Sequence, residues 1–321
     1  MAGHPAAWDE EGAAYDRRVP APPRLVSHGL PLKAHDRVGP ARLAFVESEA
    51  PSAGLPVVVL LHGFPTHAFL WRRVVRRLEG EAHCLAVDLL GLGDTEVSPY
   101  EDFSLPMQAE VILDWLDQRD LDQVVLVGHE QGGGVVQQLV ANHPERVSGM
   151  VLVDSVAYDN WPIPVAAQVM RLARTPGVDV LAYALELPRR LAHNGLVGFR
   201  HAVHDPSVIT DDIIAEYLRP FATAEGRERA RRFLLAGSDR YTLECLPGLR
   251  AFDGPAAVVW GADDHYLSSS WGQRLVDDLA GAARLDLVPF CGHLVPEERP
   301  DAVATAVQRV VAASAERQVE R

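Results

Sequence analysis

The sequence predicts an α/β fold: an open, mostly parallel sheet covered by helices on both faces. Three observations carry that reading. Short β-branched runs such as Val57-Val-Val-Leu-Leu61 have no polar face, as strands buried on both sides require. These runs alternate with segments of helical spacing. One long stretch, from about Ala157 to Pro247, breaks the alternation and marks an insertion the size of a small domain.

The elements follow in order. The first residues, 1–23, are polar and acidic and read as a loose arm. A strand over Arg42–Glu47 and a loop over Ala50–Pro56 precede the buried strand Val57–Leu61, which runs into a helix over Ala68–Leu78. Cys84–Asp88 is a strand, and Pro106–Leu116 a helix with proline in its first turn. Val124–Val127 is a strand, Gly132–Asn142 a helix and Val147–Val153 a strand. Within the insertion, Val165–Ala173, Asp179–Leu187, Thr210–Tyr217 and Arg227–Leu235 have helical composition. Ala256–Trp260 and Arg284–Val288 are two more strands, and a helix over Asp301–Ala315 closes the chain. An insertion between two strands of such a sheet is expected to form a lid over the C-terminal strand ends, where α/β crevices lie.

Composition narrows the function. The 321 residues carry 30 Lys+Arg against 44 Asp+Glu, a net charge of −14, which argues against a nucleic-acid partner. Hydrophobic content of 48% with 23% charged residues is ordinary for a globular chain. Lys33 is the only lysine, which we read as a bias of base composition. Cys84, Cys245 and Cys291 are too scattered for a disulfide framework or a cysteine zinc site. The N-terminus does not read as a signal peptide and no window is long and apolar enough for a membrane span, so a cytoplasmic location is expected.

Four segments carry chemistry. Gly128-His-Glu130-Gln-Gly-Gly133 follows a strand and opens a helix, the setting of a nucleophile elbow with glutamate at its centre. His62-Gly-Phe64-Pro ends a buried strand; the backbone N–H groups of Phe64 and Gln131 make a two-donor oxyanion hole. Gly261-Ala-Asp-Asp264 follows a strand and places a carboxylate on the crevice side, although aspartate is common in turns anyway. Cys291-Gly-His293 lies in the loop after the last strand. The order elbow, acid, histidine is that of one known triad arrangement.

On these residues the chain resembles the α/β-hydrolase fold over roughly Leu43–Ala315, and more narrowly the haloalkane dehalogenase and epoxide hydrolase branch. His62-Gly-Phe-Pro-Thr66 with Trp71 is similar to that branch's oxyanion loop, and Asp88-Leu-Leu-Gly-Leu-Gly-Asp94 to its following strand–turn. Gly128–Gly133 matches its elbow except that glutamate replaces aspartate. The resemblance implies a mostly parallel eight-stranded sheet, with a core over 24–156 and 248–321 and a helical cap over 157–247 after the sixth strand. It implies Glu130 as nucleophile, Asp264 as acid and His293 as base, with Asp154 as the alternative acid.

Without serine or cysteine at the elbow, a serine-esterase route has no nucleophile. In the dehalogenases and epoxide hydrolases that the chain resembles, a carboxylate attacks an sp³ carbon and forms an alkyl–enzyme ester that activated water then hydrolyses; the resemblance implies this for Glu130, with a general base or acid role, or a crippled site, open beside it. Two departures weigh against halide as leaving group: Gln131 stands where dehalogenases usually have tryptophan, and Phe64 where many have asparagine or tryptophan. Epoxide opening needs a proton donor, and Tyr158, Tyr183, Tyr217 and Tyr241 are candidates. Tyr158, Tyr217, Tyr241, Trp161 and His62 are candidate pocket-lining residues, with a packing role open for each. Glu130 and His293 exchanging protons in an elimination, cyclisation or isomerisation is the alternative, and a silent ligand-binding protein the third. No cofactor or metal is implied, since Gly91-Leu-Gly93-Asp94 is too short for a dinucleotide loop. The expected partner is a small-molecule substrate, with the chain a monomer or homodimer.

Overall fold

The computed structural model describes residues 33–48, 54–99, 101–175, 177, 187–196, 198–280 and 284–320. The expected arm, Tyr183 and the helix read over Asp179–Leu187, apart from Leu187, lie outside them. Eight strands form one sheet: β1 (Ala34–Val38), β2 (Ala41–Glu47), β3 (Val57–Leu61), β4 (His83–Val87), β5 (Val124–His129), β6 (Val147–Val153), β7 (Ala256–Gly261) and β8 (Leu285–Val288). Their order is β1-β2-β4-β3-β5-β6-β7-β8. From β4 to β8 every pairing is parallel, while β1 pairs β2 and β2 pairs β4 antiparallel, so the sheet is mixed at one edge.

Burial explains the central order. All six residues of β5 are buried, and β3 exposes only its first residue partly, which suits strands with helices on both faces. The helices α1 (Arg72–Arg77), α2 (Leu105–Gln118) and α3 (Gln131–Asn142) follow β3, β4 and β5. The closing helix, Pro300–Glu320, lies against β6: Ser314 Oγ donates to Ser148 O at 2.8 Å, and a Cβ on Gly149 would stand 2.5 Å from Val310 Cγ1. Strand β1, Ala-His-Asp-Arg-Val, has no apolar run and was not legible as a strand. It is an edge strand, turned back onto β2 through Gly39 at φ +53°.

Between β6 and β7 the described residues are helical, but they do two different things. Helices Pro164–Ala173, Asp211–Leu218 and Ala224–Ala236 belong to the part that reaches the C-terminal strand ends. There Leu294 N–H donates to Ala202 O and His204 N–H to Glu298, both at 3.0 Å. Helices Asp239–Glu244 and Leu246–Ala251 instead pack on α3, where Gln138 Nε2 donates to Tyr241 O and a Cβ on Gly248 would meet Ala141.

Candidate active site

Parallel strands end together, and that is what gathers the candidate residues. Phe64 follows β3, Glu130 follows β5, Asp154 follows β6, Asp264 follows β7 and His293 follows β8. The five come from adjacent strands and share the C-terminal edge of the sheet.

The elbow is strained and held. Glu130 has φ +50° and ψ −118°, a region that costs a non-glycine residue ~1–3 kcal/mol. Its N–H donates to Val153 O at 3.2 Å, and its carbonyl accepts from Gly133 N–H at 3.0 Å and Val156 N–H at 3.1 Å. The turn needs glycine around it. A Cβ on Gly132 would lie 2.2 Å from Leu61 O, and one on Gly63 would lie 2.2 Å from Glu130 Oε2.

The side chain of Glu130 then makes the informative contact. Its Oε2 accepts from Phe64 N–H at 2.9 Å and from Gln131 N–H at 2.8 Å, so one carboxylate oxygen sits in the two-donor hole. That leaves Oε1 as the oxygen turned away from the hole. Burial pushes the Glu130 carboxyl up, more than the Gln131 N–H and the charge on His293 draw it down.

His293 Nδ1 donates to Asp264 Oδ2 at 2.8 Å, which leaves Nε2 as the basic nitrogen. Asp264 is itself fixed, since Oδ1 accepts from Tyr266 N–H at 2.7 Å and Leu267 N–H at 2.9 Å. Burial acts to lower the His293 pKa, but the Asp264 carboxylate outweighs it and holds the ring above its ordinary value. Asp154 is fully buried at φ +42°, with Oδ1 accepting from Gly261 N–H at 2.8 Å.

Several expected pocket residues are placed elsewhere. His62 is fully buried with both ring nitrogens spent on backbone: Nε2 accepts from Leu89 N–H at 3.0 Å and Nδ1 donates to Gly63 O at 2.9 Å. It splints the oxyanion loop to the end of β4 and offers nothing to a substrate. Tyr158 gives its hydroxyl to Asp278 and stacks on Trp271. Tyr217 is fully buried with its hydroxyl on Glu297. Tyr241 belongs to the helix packed on α3, its ring 4.8 Å below the Arg240 guanidinium. Trp161 lies beside Gly237 with its indole N–H buried and unpartnered.

The tyrosine that does lie against His293 is Tyr266, ring to ring at 5.4 Å, with its hydroxyl 3.3 Å from Gly198 O. Sequence reading passed over it, although its position two residues after Asp264 was the available signal. Burial, then the charge of Asp264, push its phenol up to about 12, so it stays protonated. His129 was missed as well; its Nε2 donates to His293 O at 2.9 Å and anchors the loop that carries His293. On the opposite side the Phe64 ring stacks 6.2 Å from Phe233 and faces Phe221 at 6.5 Å, an apolar wall contributed jointly by the oxyanion loop and the insertion.

Comparison with known proteins bears on the fold. The α/β hydrolase fold family model matches residues 56–190. A soluble epoxide hydrolase from Corynebacterium sp. strain C12 is 27% identical over 269 residues, covering 78% of this chain and 88% of its own. A haloalkane dehalogenase from Bradyrhizobium diazoefficiens is 25% identical over 289 residues, covering 83% and 89%. The crystal structure of an α/β hydrolase fold protein from Burkholderia ambifaria superposes with a TM-score of 0.74 at 27% identity, covering 87% and 97%. Together with the strand order, they show the α/β-hydrolase fold, and within it the chain is similar to the epoxide hydrolases and haloalkane dehalogenases.

Proposed function

We propose that this hydrolase opens an epoxide through an alkyl ester on Glu130. The observation that carries the reading is the seating of Glu130 Oε2 between the N–H groups of Phe64 and Gln131. A carboxylate held by one oxygen has the other free to attack, and the hole already surrounds the atom that becomes the oxyanion in the second step. A base activating water has no use for such a hole.

The steps balance as follows. Oε1 attacks an epoxide carbon, the C–O bond breaks, and the alkoxide takes a proton from Tyr266, which regains it from solvent. Water then gives a proton to His293 Nε2 and adds to the ester carbonyl, while Asp264 steadies the imidazolium. The tetrahedral oxyanion is Oε2, on the same two N–H donors. On collapse the C–O bond to the product breaks, the departing oxygen takes the proton held on His293 to complete the diol, and the Glu130 carboxyl loses its proton to solvent, which restores the carboxylate. The extra methylene of glutamate is accommodated by Gly63, which leaves the carboxylate room beside the oxyanion loop.

The apolar wall of Phe64, Phe221 and Phe233 supports a largely hydrocarbon substrate under a lid formed by the helices between β6 and β7. The epoxide is favoured over a halide because Gln131 replaces the indole donor and Tyr266 supplies an O–H beside the base.

Single turnover in ¹⁸O-water tests the covalent step. With an ester on Glu130, the first product is unlabelled and the peptide containing Glu130 gains ¹⁸O. A labelled first product with an unlabelled peptide makes Glu130 a general base and removes the ester.

A further inference from the structure

Asp154 is one of the incompletely paired buried groups of the site, and the one that carries a carboxyl. Its Oδ1 is satisfied by Gly261 N–H, but Oδ2 is buried without a hydrogen-bond partner. The ligand atoms of Asp154, Asp264 and His293 lie within 4.8 Å of one another. Asp264 has no exposed side-chain surface and His293 only 9%. Two carboxylates in that space cannot both carry charge cheaply, because neither can be relieved by water. The groups facing Asp154 offer one source of positive charge, the His293 ring; Asp264, Glu298 and the Cys291 thiol are neutral or anionic. Asp264 is the better anion, since three N–H groups already point at it.

We propose that Asp154 is a positioning residue held as the neutral acid, its Oδ2–H donating to Asp264 and fixing Asp264 as the anionic partner of His293. The orphaned oxygen thereby becomes a donor, and Asp264 gains a fourth hydrogen bond. The left-handed backbone of Asp154 is the conformational cost of turning its side chain across β7 toward that partner. Burial and the Asp264 charge, which together push the Asp154 carboxyl well above the ordinary range, agree with the geometry.

The direct test reads the carboxyl itself. In wild-type protein carrying ¹³C-carboxyl aspartate, one aspartate carboxyl is expected to remain protonated at pH 7, its resonance absent from the Asp154→Asn spectrum. If every aspartate carboxyl is ionised by pH 7, the proposal fails. Stoichiometric divalent metal in protein purified without chelator, lost together with activity on dialysis against chelator, would also overturn it, since an ion would then be the counter-charge.

The kinetic arm rests on the reading of His293 as the base. Asp154→Ala is expected to lower kcat by up to about 100-fold, with KM little moved, through misplacement of the His293–Asp264 pair. Asp154→Asn keeps an uncharged donor toward Asp264 and should restore kcat to within about fivefold of wild type. The acid limb of its pH profile should stay where wild type has it. A limb displaced by about one unit or more in Asp154→Asn means that a negative charge was removed, and Asp154 was then an anion. Should His293 prove not to be the base, the kinetic arm falls while the carboxyl resonance still reads Asp154.

Discussion

Around Lys33 the buried charges are matched atom for atom, whereas around His293 they are left incompletely matched. The Lys33 ammonium lies 2.6 Å from both Asp88 Oδ2 and Asp94 Oδ2, and 3.4 Å from His67 Nδ1. Asp88 Oδ1 accepts Ala68 N–H, and Asp94 takes both arms of the Arg219 guanidinium at 2.6 Å each. At the other cluster Asp154 Oδ2, His129 Nδ1 and the Gln131 carboxamide nitrogen are buried and unpartnered. Both clusters stand at the C-terminal ends of strands in one sheet. Complete pairing locks a buried charge in place, while incomplete pairing holds groups ready for a partner that arrives with the substrate or as a proton.

The largest expected effect breaks the second cluster at its centre. Glu130→Gln keeps the shape of the elbow, but an amide neither attacks carbon nor takes up a proton. Turnover should fall by at least about 10⁴-fold while circular dichroism and Tm stay close to wild type. Turnover near wild type would take Glu130 out of the chemistry altogether.

Asp264→Asn follows in size. It removes the acceptor of His293 Nδ1–H, and a comparable change in serine proteases costs ~10⁴. The pH profile separates loss of orientation from loss of fold. In the proposed mechanism His293 acts as the neutral ring, and Asp264 holds it above its ordinary value of about 6.5, so wild-type turnover should rise with pH along a limb centred above that value. In the variant the ring loses the carboxylate that raises it, and the limb should move toward acid. A rate loss with the limb unmoved would leave Asp264 without influence on the base.

These same residues show what a sequence alone can and cannot say. Glu130, Asp264 and His293 were legible as candidates because each follows a strand, and parallel order then brings them to one edge. The pocket tyrosines were not legible, since which way a phenol turns is decided by packing between distant segments. Tyr217 found Glu297, 80 residues on, and Tyr158 found Asp278, 120 residues on. β1 escaped because an edge strand paired on one side needs no apolar run. The Asp88–Asp94 turn was visible as a family likeness, but not its purpose. A Cβ on Gly93 would stand 2.2 Å from Asp88 Oδ2, so the glycine lets the chain close round a buried carboxylate. Composition also misled: a chain with one lysine looked merely arginine-biased, yet that lysine sits on the most completely paired site described.

That lysine gives the last and smallest effect on catalysis, together with a large one on stability. A compact ammonium can lie between two carboxylates and a ring nitrogen, whereas a planar guanidinium needs more width than this geometry offers. Lys33→Met leaves the fully buried Asp88 carboxylate without its counter-charge while Asp94 keeps Arg219, and removing one partner of a buried pair costs ~3–5 kcal/mol. Tm should drop by about 10 °C for a chain of this size, while the folded fraction turns over substrate at nearly the wild-type rate. Lys33→Arg keeps the charge and should lose less, ~1–3 kcal/mol, through crowding. The pH dependence fixes the cause. Although burial acts to raise both carboxyls, Lys33, with Arg219 at Asp94, holds them below their ordinary range. Their contribution is therefore present above about pH 3.9 and fades as pH falls toward the folded values. The Tm gap between wild type and Lys33→Met should narrow from pH 7 toward pH 4, as the variant relieves itself by binding a proton. A gap that stays constant across that range would mean the lysine acts through packing of its methylenes, and the contrast between the two clusters would lose its electrostatic basis.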